Sequence, residues 1–422
     1  MVQAERADPA VILIIRPASL QPVEPCTVGQ RKPDRSGGPG PVAWGLPKGP
    51  WVLHTTERLG GITDRWLDLQ AARGERFESR LLGWYEVSEQ RSPHWLVAHD
   101  HRDAYLAARA MRKTRGLSSA WLYRYLRERP PAIVHAHYGT LASCQILLAR
   151  ACRAPLIASF YGFDATETRF VASRRWRRAY RRLFRSATAL IVEGPAMAAR
   201  LRALGCPASK LEIVRLPADA ESLPAAPKRG GSSGFQVAMA GRFAEKKGFD
   251  TGIRAFALAF RGVPEASLLM IGGGPLEERY RALVAEEGIS DQVRWGGQMP
   301  FGEFMSSLAG ADIALFPSRT AADGDSEGGA PVTLIEAQWL GVPSIVSKHD
   351  DLPFVAAPGG AIVLPPNAPE EWSRALTAIS AQPGRLQAMS AAAMRFAREH
   401  HAIEANTRQR ESIYAAALDR SE

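Results

Sequence analysis

Short apolar runs alternate with longer amphipathic stretches from Trp51 onward. The runs are WVLHTT (51–56), RLLGW (80–84), AIVHAH (132–137), LIASF (156–160), ALIVEG (189–194) and LEIVRL (211–216). Runs this short and this uniformly apolar fit strands buried on both faces, as in a parallel sheet covered by helices. Between them, 101–113, 140–152, 169–187 and 195–204 read as helices. Residues 218–234, dominated by Pro, Gly and Ser, interrupt the rhythm as an interdomain linker does. It then restarts with strands at 235–241, 267–273, 292–297, 312–318, 343–347 and 361–365. Helices are predicted at 249–261, 276–287, 301–309, 332–341, 369–381 and 386–417. The pattern predicts two doubly wound α/β domains in tandem, 51–217 and 235–400, with a C-terminal helix in 401–422 that can cross back to the first domain. Such sheets bind ligands outside the carboxyl ends of their strands, so two facing domains would enclose a cleft there. Residues 1–50 are predicted to be a flexible arm, since 21–50 hold 7 Pro and 6 Gly.

Composition narrows the class. Hydrophobic residues make up 46% and charged residues 23%, which excludes a wholly disordered chain or a fibre. No run approaches the roughly 18 apolar residues of a membrane-spanning helix. Val11–Ile15, preceded by Glu5 and Asp8, is too short and too acidic for a secretory signal. The cysteines at 26, 144, 152 and 206 form no CxxC pair and read as reduced thiols in a cytosol. The net charge of +10 is uneven: residues 101–200 hold 19 basic and 5 acidic side chains. This half is expected to face an anionic partner such as a membrane surface or a phosphorylated acceptor. No recognition motif accompanies the charge, so nucleic acid is not expected.

Three segments of the second half carry candidate chemistry. AGRFAEKKG (240–248) places Gly241 at a strand end, with Arg242, Lys247 and Gly248 before a helix. Guanidinium, ammonium and helix N–H groups all suit phosphate oxygens, and no Walker motif is present. MIGGGPLEERY (270–280) ends a strand in Gly272, Gly273 and Gly274, with Pro275 expected to open a helix. DGDSEGGAPVTLIEAQWLG (323–341) sets Glu327 before a Gly328–Gly329–Ala330–Pro331 turn and Glu336 within the following helix. Carboxylates accept hydrogen bonds from vicinal hydroxyls, while helix N–H groups face a phosphate. Taken singly, each has an ordinary alternative: a basic solvated turn, a tight strand-to-helix turn, or an acid favoured by the helix dipole.

Together, in order and each at a strand's carboxyl end, the motifs resemble the retaining GT-B glycosyltransferases of family 4. The phrase EGGAPVTLIEAQ followed by PSIVSKHDDLP is most similar to the branch that makes colanic acid, amylovoran and related exopolysaccharides. The resemblance covers about residues 51–418. It implies that Arg242 and Lys247 meet the donor diphosphate, that Gly241, Gly272, Gly274 and Pro275 line it, and that Glu327 meets the transferred sugar and Glu336 the ribose. Eight residues separate these glutamates, where the family has seven; a bulge in Gly328–Ala330 is expected. LGGITDRWLDLQAARG (59–74) resembles the family's glycine-rich loop, placing Gly60 and Gly61 near acceptor and diphosphate. ASFYGFDAT (158–166) resembles its FHGYD stretch, with Tyr161 in the histidine's place and Asp164 retained. Phe354 stands where the family often has Glu and is given no role. The implied co-substrate is a UDP- or GDP-sugar, with no further cofactor. The implied acceptor is a glycan or a polyprenyl-diphosphate-linked lipid, reached at the inner face of the cytoplasmic membrane. A nucleotide-sugar epimerase, a phosphorylase or a non-catalytic GT-B scaffold are the alternatives.

Three further features need a reading. Asp323–Gly324–Asp325 has the letters of a metal-binding DxD but is read as a loop turn, with no metal expected. His135 and His137 alternate on a strand end, so only one is expected to be able to face the cleft, and for either the preferred reading is a satisfied core or edge histidine. RRWRRAYRRLFRSATA (174–189) carries seven arginines around a stripe of Trp176, Ala179, Tyr180, Leu183, Phe184 and Ala187. It fits a membrane-surface helix and equally a helix that packs its stripe inward.

Overall fold

The computed structural model describes residues 46–61, 65–87, 92–218 and 234–420. Most of the expected arm, with Cys26, most of the linker, and the middle of the glycine-rich loop lie outside them. Two parallel sheets dominate. The first runs, in spatial order, Trp95–Val97, Glu78–Gly83, Trp51–Thr55, Ile133–His137, Leu156–Phe160, Ala189–Val192 and Leu211–Ile213. The second runs Val293–Gly297, Ala266–Ile271, Phe235–Ala240, Ile313–Phe316, Ser344–Ser347 and Ala361–Leu364. In both, the order reverses beside the first strand, which creates the switch point where α/β sheets place ligands.

Alternation along the strands sorts the first domain's core into two layers. Trp51, Leu53, Val134, Ala136, Ala158, Phe160, Leu190 and Val192 face one way, into a cluster with helices Arg102–Ala110, Gly139–Cys152 and Arg174–Ser186. Val52, Ile133, Ile157, Ala189 and Ile191 face the other way and are covered by Ile413, Tyr414 and Ala417 of helix Ile403–Asp419. The last helix of the chain therefore packs on the first sheet.

The sequence reading joined residues 386–417 in one helix, but the chain forms two, Pro383–His400 and Ile403–Asp419. The break is set by contacts distant in sequence. His401 Nδ1–H donates to the Leu216 carbonyl at 2.7 Å, and its own carbonyl accepts from Ala218 N–H at 2.8 Å. Helix Glu277–Glu286 begins two residues after Pro275, which stays in the turn. The short strands Arg58–Leu59, Tyr85–Glu86 and Trp95–Val97 were not foreseen. In helix Arg174–Ser186 the stripe packs inward: Tyr180, Leu183 and Phe184 are buried, and Trp176 stands edge-on to Phe170 at 5.2 Å. All seven arginines are exposed. Among the described residues, no helix is long and apolar enough to cross a membrane.

The returning helix is fastened by Glu411, only 2% exposed. Its carboxylate accepts from the N–H groups of Glu75 and Arg76 at 2.9 Å and of Phe77 at 3.2 Å. Glu411→Ala would strand those donors beneath the helix. We expect a loss of about 3 kcal/mol in urea unfolding, the scale for leaving buried donors without their acceptor.

Candidate functional site

The carboxyl ends of the two sheets meet. On the second sheet, Gly241 and Gly272 follow adjacent strands with φ of 147° and 128°. A Cβ on Gly272 would stand 2.0 Å from the Gly241 carbonyl oxygen, so only glycine lets these two turns approach. Gly274 likewise lies against the Phe243 backbone, and Gly274 and Pro275 are exposed. After Gly241 the chain exposes Arg242, buries Phe243, and makes a single turn, Glu245–Lys247, that aims Lys247 inward. Gly248 ends that turn in the left-handed region and abuts the Pro317 carbonyl. Helix Phe249–Phe260 follows.

Lys247 Nζ lies 2.5 Å from Glu327 Oε1, and Ser318 Oγ lies 3.4 Å from Glu327 Oε2. Burial alone would raise the Glu327 carboxyl, but Lys247 and Lys246 outweigh it and hold it below the ordinary glutamate range. The two groups assigned to diphosphate and sugar thus stand together. Lys246 pairs with Asp325 at 3.1 Å, and Asp323 accepts its own loop's Asp325 N–H at 2.9 Å. This DGD segment is a turn fastened to the lysine turn. Among the described residues Arg242 makes no ion pair.

Gly328, Gly329 and Ala330 form the turn after Glu327, and Pro331 ends it before helix Val332–Trp339. Leu334, Ile335, Ala337 and Gln338 form that helix's buried face. Glu336 is partly exposed; desolvation lifts its carboxyl to about 7, opposed by Arg65. Arg65 heads helix Arg65–Ala72 just after the glycine-rich loop and lies over the Phe301 ring at 4.3 Å. Gly60 is left-handed at φ 74° and Gly61 is buried.

Several first-domain residues lie deeper than sequence suggested. Asp164 is fully buried and holds the N–H groups of Gly139 at 2.7 Å, Gly162 at 3.1 Å and Tyr161 at 3.2 Å. It shapes the turn rather than lining the cleft. Tyr161 lies tilted against Trp66, with ring centroids 4.5 Å apart, and its hydroxyl lies 2.6 Å from His137 Nδ1. The expectation that only one of His135 and His137 faces the cleft is corrected: residues two apart on a strand share a face. Both join His54, with His137 Nε2 2.9 Å from His54 Nδ1. His135 bridges Tyr414 Oη and Ser159 Oγ, each at 2.7 Å. Among the described residues these three are the one group whose ligand atoms approach within 4.8 Å, the arrangement a metal ion would need. All of their nitrogens except His54 Nε2 are engaged in hydrogen bonds, and the Arg410 charge disfavours a cation.

Sequence reasoning missed three carboxylates of the junction. Glu193, buried at a strand end, accepts the Ala330 N–H and touches Gly329. Burial, with Asp351, Asp164 and Glu327 nearby, drives its carboxyl well above the usual range despite that bond. Asp351 accepts from Ala196 N–H at 2.7 Å and Met197 N–H at 3.0 Å, at the start of helix Pro195–Ala203. Asp350 pairs with Arg200 of that helix. The sequence signals were a glutamate ending the apolar run ALIV and an Asp-Asp pair after PSIVS.

The comparisons agree with this geometry. Residues 60–217 match the glycosyl transferase 4-like domain, and residues 228–396 match the glycosyl transferases group 1 domain. The amylovoran biosynthesis glycosyltransferase AmsK of Erwinia amylovora is 29% identical over 247 residues, 58% of this chain and 59% of that protein. An Escherichia coli K12 protein named for colanic acid biosynthesis, WcaL, is 28% identical over 58% of this chain and 60% of its own. The chain thus spans about three fifths of the length of these curated relatives. Anabaena HepE, solved with UDP and glucose, superposes with a TM-score of 0.68 at 14% identity, over 87% of this chain and 100% of that one. The fold is GT-B.

The buried histidines give a test of the site's electrostatics. Burial, then Arg410, lowers His137 to about 3, and His54 and His135 are also well below their ordinary value. Unfolded histidines take up protons below pH of about 6.5 and the folded ones do not. Their contribution to stability is therefore present above that pH and lost as pH falls towards about 3. In urea unfolding, His137→Gln should lose stability with acid less steeply than wild type, by up to about 1.4 kcal/mol per pH unit.

Proposed function

The chain belongs to the group 1 glycosyltransferases, and from that premise we propose that it transfers a sugar, with retention, from a nucleotide-sugar donor to a lipid-linked or oligosaccharide acceptor. The observation that carries this reading is the Lys247–Glu327 pair, seated at the strand ends beside the Gly241 and Gly272 turns. It puts a cation for a departing diphosphate next to a carboxylate for a sugar. UDP- or GDP-sugars are the donors we favour: HepE was solved with UDP, and a Corynebacterium glutamicum relative, 30% identical over 37% of this chain and 40% of its own, is named a GDP-mannose-dependent mannosyltransferase. The names of AmsK and WcaL favour an exopolysaccharide product.

In this reading Arg242 and Lys247 stabilise the leaving nucleotide diphosphate, and that electrostatic support is the largest protein contribution. The acceptor hydroxyl enters on the same face, near Gly60, Gly61 and Tyr161. Glu327 orients the sugar, Glu336 accepts from the ribose hydroxyls, and the Gly328–Pro331 turn closes over the donor. Asp325 is neutralised by Lys246 and needs no metal ion. The exposed arginines of Arg174–Ser186 meet anionic headgroups at the inner face of the cytoplasmic membrane. The buried stripe leaves charge, not aromatic insertion, as the means of attachment.

A thermal-shift screen of UDP-, GDP- and ADP-sugars should single out one donor class. Arg242→Ala and Lys247→Ala should each weaken binding of that nucleoside diphosphate by about 1.5–3 kcal/mol, the scale of charge-assisted hydrogen bonds. Unchanged affinity in both variants would remove this turn from the donor site.

The membrane reading is checked by sedimentation with anionic vesicles. Each arginine near the leaflet contributes about 1 kcal/mol, screened by salt. Wild type should pellet with vesicles at low salt and release at high salt. Replacing Arg174, Arg178, Arg181 and Arg185 by Glu should abolish pelleting while nucleotide affinity holds. A wild type that ignores the vesicles at low salt makes the helix only a solvated face.

A further inference from the structure

Glu327 sits in a loop that has no regular structure, yet the loop is tied down on both sides of it by one carboxylate. Asp350 Oδ2 accepts from Ser326 Oγ at 2.6 Å and from Gly328 N–H at 3.2 Å, the residues directly before and after Glu327. His349 Nε2 lies 3.1 Å from the same oxygen. The other oxygen, Oδ1, takes the Arg200 guanidinium from helix Pro195–Ala203 of the first domain. Asp350 itself is left-handed, at φ 44°. A non-glycine residue holds that conformation only when its surroundings compensate for a cost of about 1 kcal/mol or more. Here the compensation is a carboxylate whose two oxygens serve the loop and the opposite domain.

The neighbouring contacts reinforce this direction of control. Asp351 seats the same first-domain helix on the same turn through Ala196 and Met197. Gly162 of the first domain lies so near Gly328 that a Cβ on Gly328 would stand 2.5 Å from its Cα. Ser326 N–H reaches Thr166 Oγ1 at 3.4 Å. The loop bearing Glu327 is thus framed by the turn 349–351 on one side and by first-domain backbone on the other.

We propose that Asp350 is a positioning residue for Glu327, and that Arg200, by orienting Asp350 across the cleft, makes Glu327's placement depend on docking of the first domain. The proposal rests on the glycosyltransferase reading for the importance of Glu327, but the placement can be measured without any ligand. A plain interdomain ion pair would stabilise docking and leave the loop's order untouched. A positioning role ties loop order to the Asp350 carboxylate.

Two measurements on the full chain separate these. The first is amide hydrogen exchange by mass spectrometry across 324–331, without nucleotide. Asp350→Gly keeps the left-handed turn at no steric cost and removes the carboxylate, and Arg200→Ala removes its orienting partner. Both variants should exchange at Ser326 and Gly328 about tenfold faster while the Leu334–Gln338 helix stays protected, a local rather than global opening. Unchanged exchange over 324–331 in both variants overturns the proposal. The second is turnover of UDP-glucose and GDP-mannose beside UDP and GDP affinity. Asp350→Gly should lose kcat by about 100-fold, the scale for a 1 Å misplacement of a reacting group, with nucleotide Kd within threefold of wild type. Asp350→Asn, which tolerates the left-handed turn and keeps one acceptor oxygen, should restore part of kcat. Equal losses in kcat and nucleotide affinity also overturn it, because the whole cleft would then have changed. If wild type turns over neither donor, the choice of donor fails, and the exchange measurement still decides whether Asp350 positions the loop.

Discussion

A carboxylate buried at the seam between the two halves can meet a main-chain N–H that cannot swing away, and so fixes backbone to backbone. Glu411 does this for residues 75–77, Asp351 for the start of helix Pro195–Ala203, and Glu193 for Ala330. Burying a charge is costly unless it is richly hydrogen-bonded. Glu411 meets that demand with three N–H donors. Glu193 has only one such donor, and burial with the neighbouring carboxylates drives its carboxyl well above the usual range. Asp351 and Glu193 tie the two halves to each other beside the apolar cluster they share, while Glu411 ties the returning helix to the first.

The same economy of position governs the first sheet's face. Along each strand the residues beneath the returning helix change from apolar to polar: Val52 to His54, Ile133 to His135 and His137, Ile157 to Ser159, Ile191 to Glu193. The helix mirrors them, with Ile413 and Ala417 over the apolar half and Tyr414 and Arg410 towards the polar one. Core and cleft floor are two ends of one surface. The histidines are neutral because that surface is dry and Arg410 stands nearby.

Much of this was legible in the letters, because apolar alternation follows local geometry. Most strands of the two large sheets fell within a few residues of their expected positions, and the joint pattern of Arg242, Lys247, the glycines and the two glutamates pointed to one sheet edge. What escaped notice depends on partners far along the chain. The break at His401 answers to Leu216 and Ala218. Trp95–Val97 is too short to carry a periodicity. Asp164 and Tyr161 carry the letters of cleft residues, yet a turn's own N–H groups and His137 claim their polar atoms. Glu193, Asp350 and Asp351 form contacts across the junction, and nothing local marks an acid for that use.

The return of helix Ile403–Asp419 to the first sheet also sets an order of events during synthesis. Residues 51–217 leave the ribosome well before their covering helix exists, by roughly 190 residues, or some 10–40 s at 5–20 residues per second. Through that interval Val52, Ile133, Ile157 and Ile191 lack the cover that Ile413, Tyr414 and Ala417 supply. During that interval the first half of this protein is a nascent chain with an open apolar flank, which closes only when helix Ile403–Asp419 arrives.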